Sequence, residues 1–118
     1  MALKELPVLR ERGVCCELPR QVDAAWAERR SGLLRAIADP TRIGMLAALR
    51  NAPAPVCICD FTAAFDLTQP TLSHHMAKLR AAGLVESEKR GIWVYYRLHP
   101  FLTPRDLKLL DTVLATDG

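Results

Sequence analysis

Apolar residues recur at helical spacing through most of the chain and give way only once to strand-like runs. Val22, Trp26, Leu33 and Ile37 share one stripe of a predicted helix over Val22–Ala38, with Arg29, Arg30 and Arg35 on its other faces. Asp39-Pro40 stops that helix and starts the next, because Asp39 can accept from free N–H groups and Pro40 loses no bond at a first helical position. The second helix carries Ile43, Leu46 and Ala47 and ends at Asn51; Asn51-Ala52-Pro53-Ala54-Pro55 follows as a connector. Val56–Phe65 is predicted as a short helix with Ile58, Phe61, Ala64 and Phe65 on its apolar face. Asp66-Leu67 is a turn, Thr68 caps a helix running to Ala82, and Gly83 closes it at the C′ position. Leu84–Lys89 and Ile92–Leu98 are rich in β-branched or aromatic residues and flank Arg90-Gly91, which predicts a hairpin. Beyond Pro100, a last helix is predicted over Thr103–Thr116, with two apolar flanks, Leu107/Leu110/Leu114 and Leu109/Val113.

The order is helix, helix, helix–turn–helix, hairpin, helix. This predicts a mainly α fold with a small β-hairpin wing, a winged helix-turn-helix, in which the second helix of the pair enters a DNA major groove. Residues 1–20 contain two prolines, a glycine and a Cys-Cys pair without periodicity, and are expected to form a flexible N-terminal arm; residues 21–118 form the DNA-binding and dimerisation domain. A chain of 118 residues holds one core, and a core this small gains from dimerisation.

Composition narrows the classes without choosing among them. Hydrophobic residues make up 50% and charged residues 25%, which excludes a disordered tail or a disulfide knot. No run approaches the ~18 apolar residues of a membrane span, and Met1-Ala2-Leu3-Lys4-Glu5 lacks the apolar core of a signal peptide, so a soluble cytoplasmic protein with no membrane partner is expected. The net charge of +3 matters less than its placement. The four cysteines, Cys15, Cys16, Cys57 and Cys59, are then reduced thiols, and their clustering points to metal or redox chemistry. The few glycines form no phosphate-cradling loop beside a thiol, and no catalytic constellation is present; the chain is not expected to be an enzyme.

On the Thr68–Ala82 helix, Leu72, Met76 and Leu79 form the core stripe. Pro70, Thr71, His74 and Lys78 point the other way, and Ser73 lies on the flank. Gln69 reaches from the first turn. Hydroxyl, imidazole and amide groups suit base edges, while Lys78 and Arg80 suit phosphates. His75 is expected to be partly packed. At the hairpin tip, Lys89 and Arg90 are placed to grip DNA backbone; Trp93, Tyr95 and Tyr96 are expected to pack.

Three stretches resemble, in order, motifs of the ArsR/SmtB family of metal-sensing repressors, and together span about residues 30–98. Ala36-Ile37-Ala38-Asp39-Pro40-Thr41-Arg42 is similar to the start of that family's second helix, Leu67–Met76 to its recognition helix, and Gly91-Ile92-Trp93-Val94-Tyr95-Tyr96 to its wing. The resemblance implies a homodimer pairing through first and last helices on double-stranded inverted-repeat operator DNA. It also implies DNA contacts at Gln69, Pro70, Ser73 and His74. Leu107, Leu110 and Leu114 are assigned to the dimer contact.

Val56-Cys57-Ile58-Cys59-Asp60 resembles the family's Cys-Val-Cys-Asp box. In arsenite sensors of the family the box gives two of three sulfurs around the metalloid, and in cadmium and lead sensors it joins thiolates of an N-terminal arm to make four. The third cysteine often found three positions after the box is Thr62 here, so Cys15 and Cys16 are expected to complete the site. Thiolates select soft ions, and As(III) or Sb(III) is the expected inducer. Cd(II)/Pb(II) is the alternative, with a thiol redox switch as a further one. The last helix carries Asp106 and Asp111 but no histidine, against the zinc and nickel sites of the family. Residues i and i+2 of a regular helix point ~200° apart, so Cys57 and Cys59 can share an ion only if the helix starts late. Pro53 and Pro55 favour a late start.

Overall fold

The computed structural model describes residues 23–116; the arm, with Cys15 and Cys16, lies outside the described residues. In chain order the elements are α1 (Ala24–Ile37), α2 (Pro40–Asn51), β1 (Val56–Cys57), α3 (Ile58–Phe65), α4 (Gln69–Ala81), β2 (Val85–Arg90), β3 (Trp93–Leu98) and α5 (Pro104–Leu114).

Local chemistry sets most boundaries. Asp39 accepts from the Arg42 N–H at 3.0 Å with Pro40 in the first turn of α2. Thr103 caps α5 by accepting from the Asp106 N–H at 3.1 Å, again with a proline at the start. At the end of α4, Gly83 takes φ +76°; its N–H donates to the Arg80 carbonyl at 3.0 Å, and the Leu84 N–H donates to the Leu79 carbonyl at 3.1 Å. That pair of bonds satisfies carbonyls the helix would otherwise leave open. The chain leaves α4 reversed and enters β2.

The core lies where α2, α3, α4, the sheet and one face of α5 meet. Its fully buried side chains are Met45, Leu46, Phe61, Leu72, Met76, Leu79, Leu84, Val85 and Leu110. Gly44 lets α2 approach α3, since a Cβ there would stand 2.9 Å from the Phe65 ring. The ion pairs Arg30–Asp106 at 3.3 Å and Arg50–Asp111 at 2.7 Å tie α5 to α1 and α2.

The structure redraws several expectations. Val56–Phe65 is not one helix: Val56 and Cys57 form a strand paired with Tyr96 and Tyr95, giving a three-stranded antiparallel sheet in the order β1-β3-β2. The prolines before Val56 hold the chain extended, and the edge of β3 supplies the partner. The hairpin turn is Gly91-Ile92 rather than Arg90-Gly91, because Arg90 pairs with Trp93 and Gly91 takes φ +63° at the first turn position. Trp26 and Trp93 are not core residues; they are 46% and 50% exposed, and Ala64 is exposed as well. Tyr96 is buried and Tyr95 half-buried, as packing residues should be. On α5 the flanks divide differently. Leu110 is 1% exposed and belongs to the chain's own core, so it presents no surface to a partner, whereas Leu107 and Val113 are 39% and 37% exposed.

Candidate nucleic-acid interface and thiol site

The turn between α3 and α4 is short. Asp66 ends α3 at φ 52°, in the left-handed region that a short polar side chain tolerates. Thr68 then caps α4 through the Thr71 N–H, and its hydroxyl lies 2.9 Å from the Thr71 hydroxyl. Thr71 is therefore partly committed to the cap. Leu72, Met76 and Leu79 are completely buried, so the opposite face of α4 is fixed outward. Gln69, Pro70, Thr71, His74 and Lys78 are exposed and Ser73 is half-buried on the flank. His75 is turned inward with its side chain 17% exposed. Lys78 makes no ion pair among the described residues.

The wing is less uniformly basic than its tip suggests. Arg90 pairs with Glu88 at 3.1 Å and lies over the Tyr95 ring, 5.3 Å from its centre. This pairing holds the Glu88 carboxyl below the usual range, through the hydrogen bond from Arg90 and then its charge. Arg97 is likewise paired with Glu86, and Arg80 donates to the Ser87 hydroxyl at 3.0 Å. Lys89 makes no ion pair among the described residues. Ile92 at the tip is 84% exposed, beside the half-exposed Trp93, which was expected to pack.

At the thiol box the helix starts late. Cys57 is the N-cap of α3, extended at φ −71° and ψ 145°, and Cys59 follows in the first turn. The ~200° separation of a regular helix therefore does not apply to this pair. The neighbouring Cys57 thiol raises the Cys59 thiol above its ordinary value; burial and the charge of Asp60 push the same way. Cys57 is 4% exposed within the core and Cys59 is exposed. Among the described residues no three His, Cys, Asp or Glu side chains group closely enough to hold a metal ion. The backbone of Cys57 pairs with Tyr95 of β3 while its carboxyl side opens α3, so this residue joins the wing sheet to the helix before the turn.

A helix–turn–helix with an outward polar face on its second helix and a β-ribbon beside it defines a winged helix-turn-helix, a DNA-binding class rather than an enzyme. The bacterial regulatory protein, arsR family, profile matches residues 39–87. The chain is similar to the "Arsenical resistance operon repressor" of Escherichia coli K12, 39% identical over 79 residues that cover 67% of each chain. It is also similar to the "Arsenic resistance transcriptional regulator ArsR1" of Pseudomonas putida, 41% identical over 68 residues, 58% of this chain and 52% of that one. In three dimensions it resembles a homodimeric winged helix-turn-helix DNA-binding domain of a possible ArsR-family regulator from Mycobacterium bovis. The TM-score is 0.65 at 24% identity, over 81% of this chain and 86% of that one. The chain belongs to the ArsR family of transcription regulators. Among the described residues no helix is long and apolar enough to cross a membrane.

Proposed function

We propose that the chain is a cytoplasmic repressor that binds inverted-repeat operator DNA as a homodimer and leaves it when As(III) or Sb(III) is bound by cysteine thiols. The observation that carries the metalloid reading is the late start of α3, with Cys57 at its N-cap and Cys59 in its first turn, so that the two thiols are not held on opposite faces of a regular helix. Two thiols released from regular helical geometry can turn toward one soft ion, and soft ions favour thiolate over the oxygen ligands of hard cations. Both named arsenic-resistance relatives support the same ligand class. Since the described residues offer only these two thiols at the site, Cys15 or Cys16 is proposed to provide the remainder. A displacement of Cys57 bears on both parts of the DNA-binding surface, because its backbone belongs to the wing sheet and its side chain to the core beneath α3. Gln69, Pro70, Thr71, Ser73 and His74 are proposed to meet the major groove, and Lys78, Lys89 and Arg90 the phosphates. Leu107, with Leu114 on its flank, is proposed to meet a second copy.

The test is a fluorescence-anisotropy titration of the protein–operator complex with arsenite, antimonite, Cd(II), Pb(II) and peroxide. Arsenite and antimonite should release the DNA. Cys57→Ser and Cys59→Ser should keep operator binding and lose the response, as should the double Cys15→Ser/Cys16→Ser variant. X-ray absorption should count three sulfurs around arsenic. A double variant that responds like wild type would remove the arm from the site, and release by Cd(II) or by peroxide alone would install the alternative inducers. Ser73→Ala or His74→Ala should weaken specific binding by about 1–3 kcal/mol.

A further inference from the structure

One arginine joins three helices. Arg42 stands in the first turn of α2, and its Nε donates to the Ala36 carbonyl at 2.6 Å and its Nη2 to the Arg35 carbonyl at 3.4 Å, both at the end of α1. Its Nη1 lies 3.1 Å from Nδ1 of His75, in the middle of α4. A guanidinium only donates, so Nδ1 must accept, and His75 is neutral with its proton on Nε2. Oδ2 of Asp39 lies 3.8 Å from the same Nδ1 and accepts the Arg42 N–H at 3.0 Å. Asp39 is held below the usual carboxylate range, chiefly through that backbone bond and then through the charge of Arg42.

These contacts allow two arrangements. With His75 neutral, Arg42 links the α1–α2 corner to the helix that carries the outward polar face. A proton on Nδ1 removes the acceptor and sets two cations against each other, while the Asp39 carboxylate is near enough to take the new donor. The other charged and titratable groups around the ring do not interrupt this exchange. His74 is its neighbour on α4, ring centres 6.3 Å apart; Lys78 follows on the same helix; and the Arg35 side chain is turned away to Ser31 and Glu28.

Resting on the assignment of α4 as the recognition helix, we propose that Arg42 and His75 are positioning residues for sequence reading: neutral His75 holds α4 against the α1–α2 corner, and a proton on His75 exchanges Arg42 for Asp39 and loosens that hold. Base readout depends on helix position, whereas phosphate contact depends mainly on charge. Mild acid should therefore lower the preference for the specific sequence even as added positive charge favours DNA in general. Simple electrostatics gives no such loss of preference.

The experiment measures anisotropy of the full chain on a duplex selected from a random pool and on a scrambled duplex, at constant ionic strength, across the interval where imidazoles ordinarily change charge, about pH 5–8. The ratio of specific to scrambled affinity should fall roughly fivefold or more on acidification, the lower edge of usual coupling between sites. His75→Asn keeps an oxygen acceptor near the Nδ1 position and cannot titrate, so its ratio should be independent of pH and close to the wild-type value at the basic end. His75→Ala should show the low ratio throughout, and His99→Asn, outside the assigned DNA surface, should keep the acid-dependent fall. In wild type at the basic end, long-range proton–nitrogen spectra should show His75 protonated on Nε2. A wild-type ratio that is flat or rises in acid, an acid-dependent fall in His75→Asn, or a proton on Nδ1 at the basic end would each overturn the latch. Failure to select any duplex would sink the recognition-helix assignment, and the latch with it.

Discussion

Two leucines one turn apart on α5 should fail in different ways. Leu110 is 1% exposed in the chain's own core, while Leu107 is 39% exposed on the neighbouring face. Truncating Leu110 to Ala deletes buried methyl groups and leaves a cavity, at a cost of about 2–5 kcal/mol. For a domain of this size each kcal/mol is about 4–8 °C in Tm, so the loss should be at least about 8 °C. Leu107 has less to lose inside one chain. Fully burying a leucine is worth about 1.5–3 kcal/mol, and covering the 39% that remains exposed is worth about 0.6–1.2 kcal/mol in each subunit. A two-fold interface counts that twice, about 1.2–2.3 kcal/mol, so Leu107→Ala should weaken the dimer roughly 7- to 45-fold. Sedimentation velocity over a dilution series reads the dimer constant, and urea unfolding at one fixed protein concentration reads stability, because the two are linked by mass action. Leu110→Ala should lower the urea midpoint strongly. Leu107→Ala should mainly shift the dilution at which monomers appear. The opposite pattern, with Leu110→Ala dissociating a fully stable chain and Leu107→Ala leaving the dimer constant unchanged, would refute this division of α5.

Gly83→Ala should destabilise the domain by about 1–2 kcal/mol, because Gly83 sits at φ +76° with open space around it, so backbone strain rather than a clash sets the cost; an unchanged urea midpoint would show that the end of α4 can be rebuilt without that conformation. The lowered Glu88 carboxyl makes a signed pH prediction: its stabilisation is present above its unfolded value, about pH 4.3, and is lost as pH falls through the lower folded value. Carboxyl NMR should find Glu88 below the usual range in wild type and returned toward it in Arg90→Ala, with little change in stability, since the pair is exposed.

The parts of the fold legible in the sequence are those set by local chemistry. Asp39 and Thr68 each cap the helix they precede, and Gly83 closes α4, because caps involve side chains and N–H groups only a few residues apart. The buried stripe of α4 was legible for the same reason, as a period within one element. What escaped depends on distant partners. β1 is only two residues long, and nothing in Val56-Cys57 marks it as a strand until Tyr95 and Tyr96 lie beside it. The hairpin register slipped by one because Gly91 can serve either side of a two-residue turn, and cross-strand pairing decides. Periodicity identified the apolar faces of α1 and α5 without saying which the chain's own core covers, hence Trp26 on the surface and Leu110 within.

Cys57 and Cys59 show how a local rule and a distant contact combine. Helical geometry alone sets their side chains apart, and Pro53 and Pro55 alone say only that a helix cannot begin early. The pairing of Cys57 with Tyr95 removes that residue from the helix altogether, and this frees its thiol from the helical separation from Cys59. The strand missed in the sequence is thus the element that takes Cys57 out of the helix. It also makes the pair a poor place for a merely structural cysteine. One thiol is sealed in the core at the end of a strand and the other is open to solvent. On the proposed metalloid reading, a ligand that engages both sulfurs would pull on the strand that pairs with the wing. Separating the two thiols while keeping both, by a substitution at Val56 that weakens β1, should therefore blunt the metalloid response without removing a single ligand.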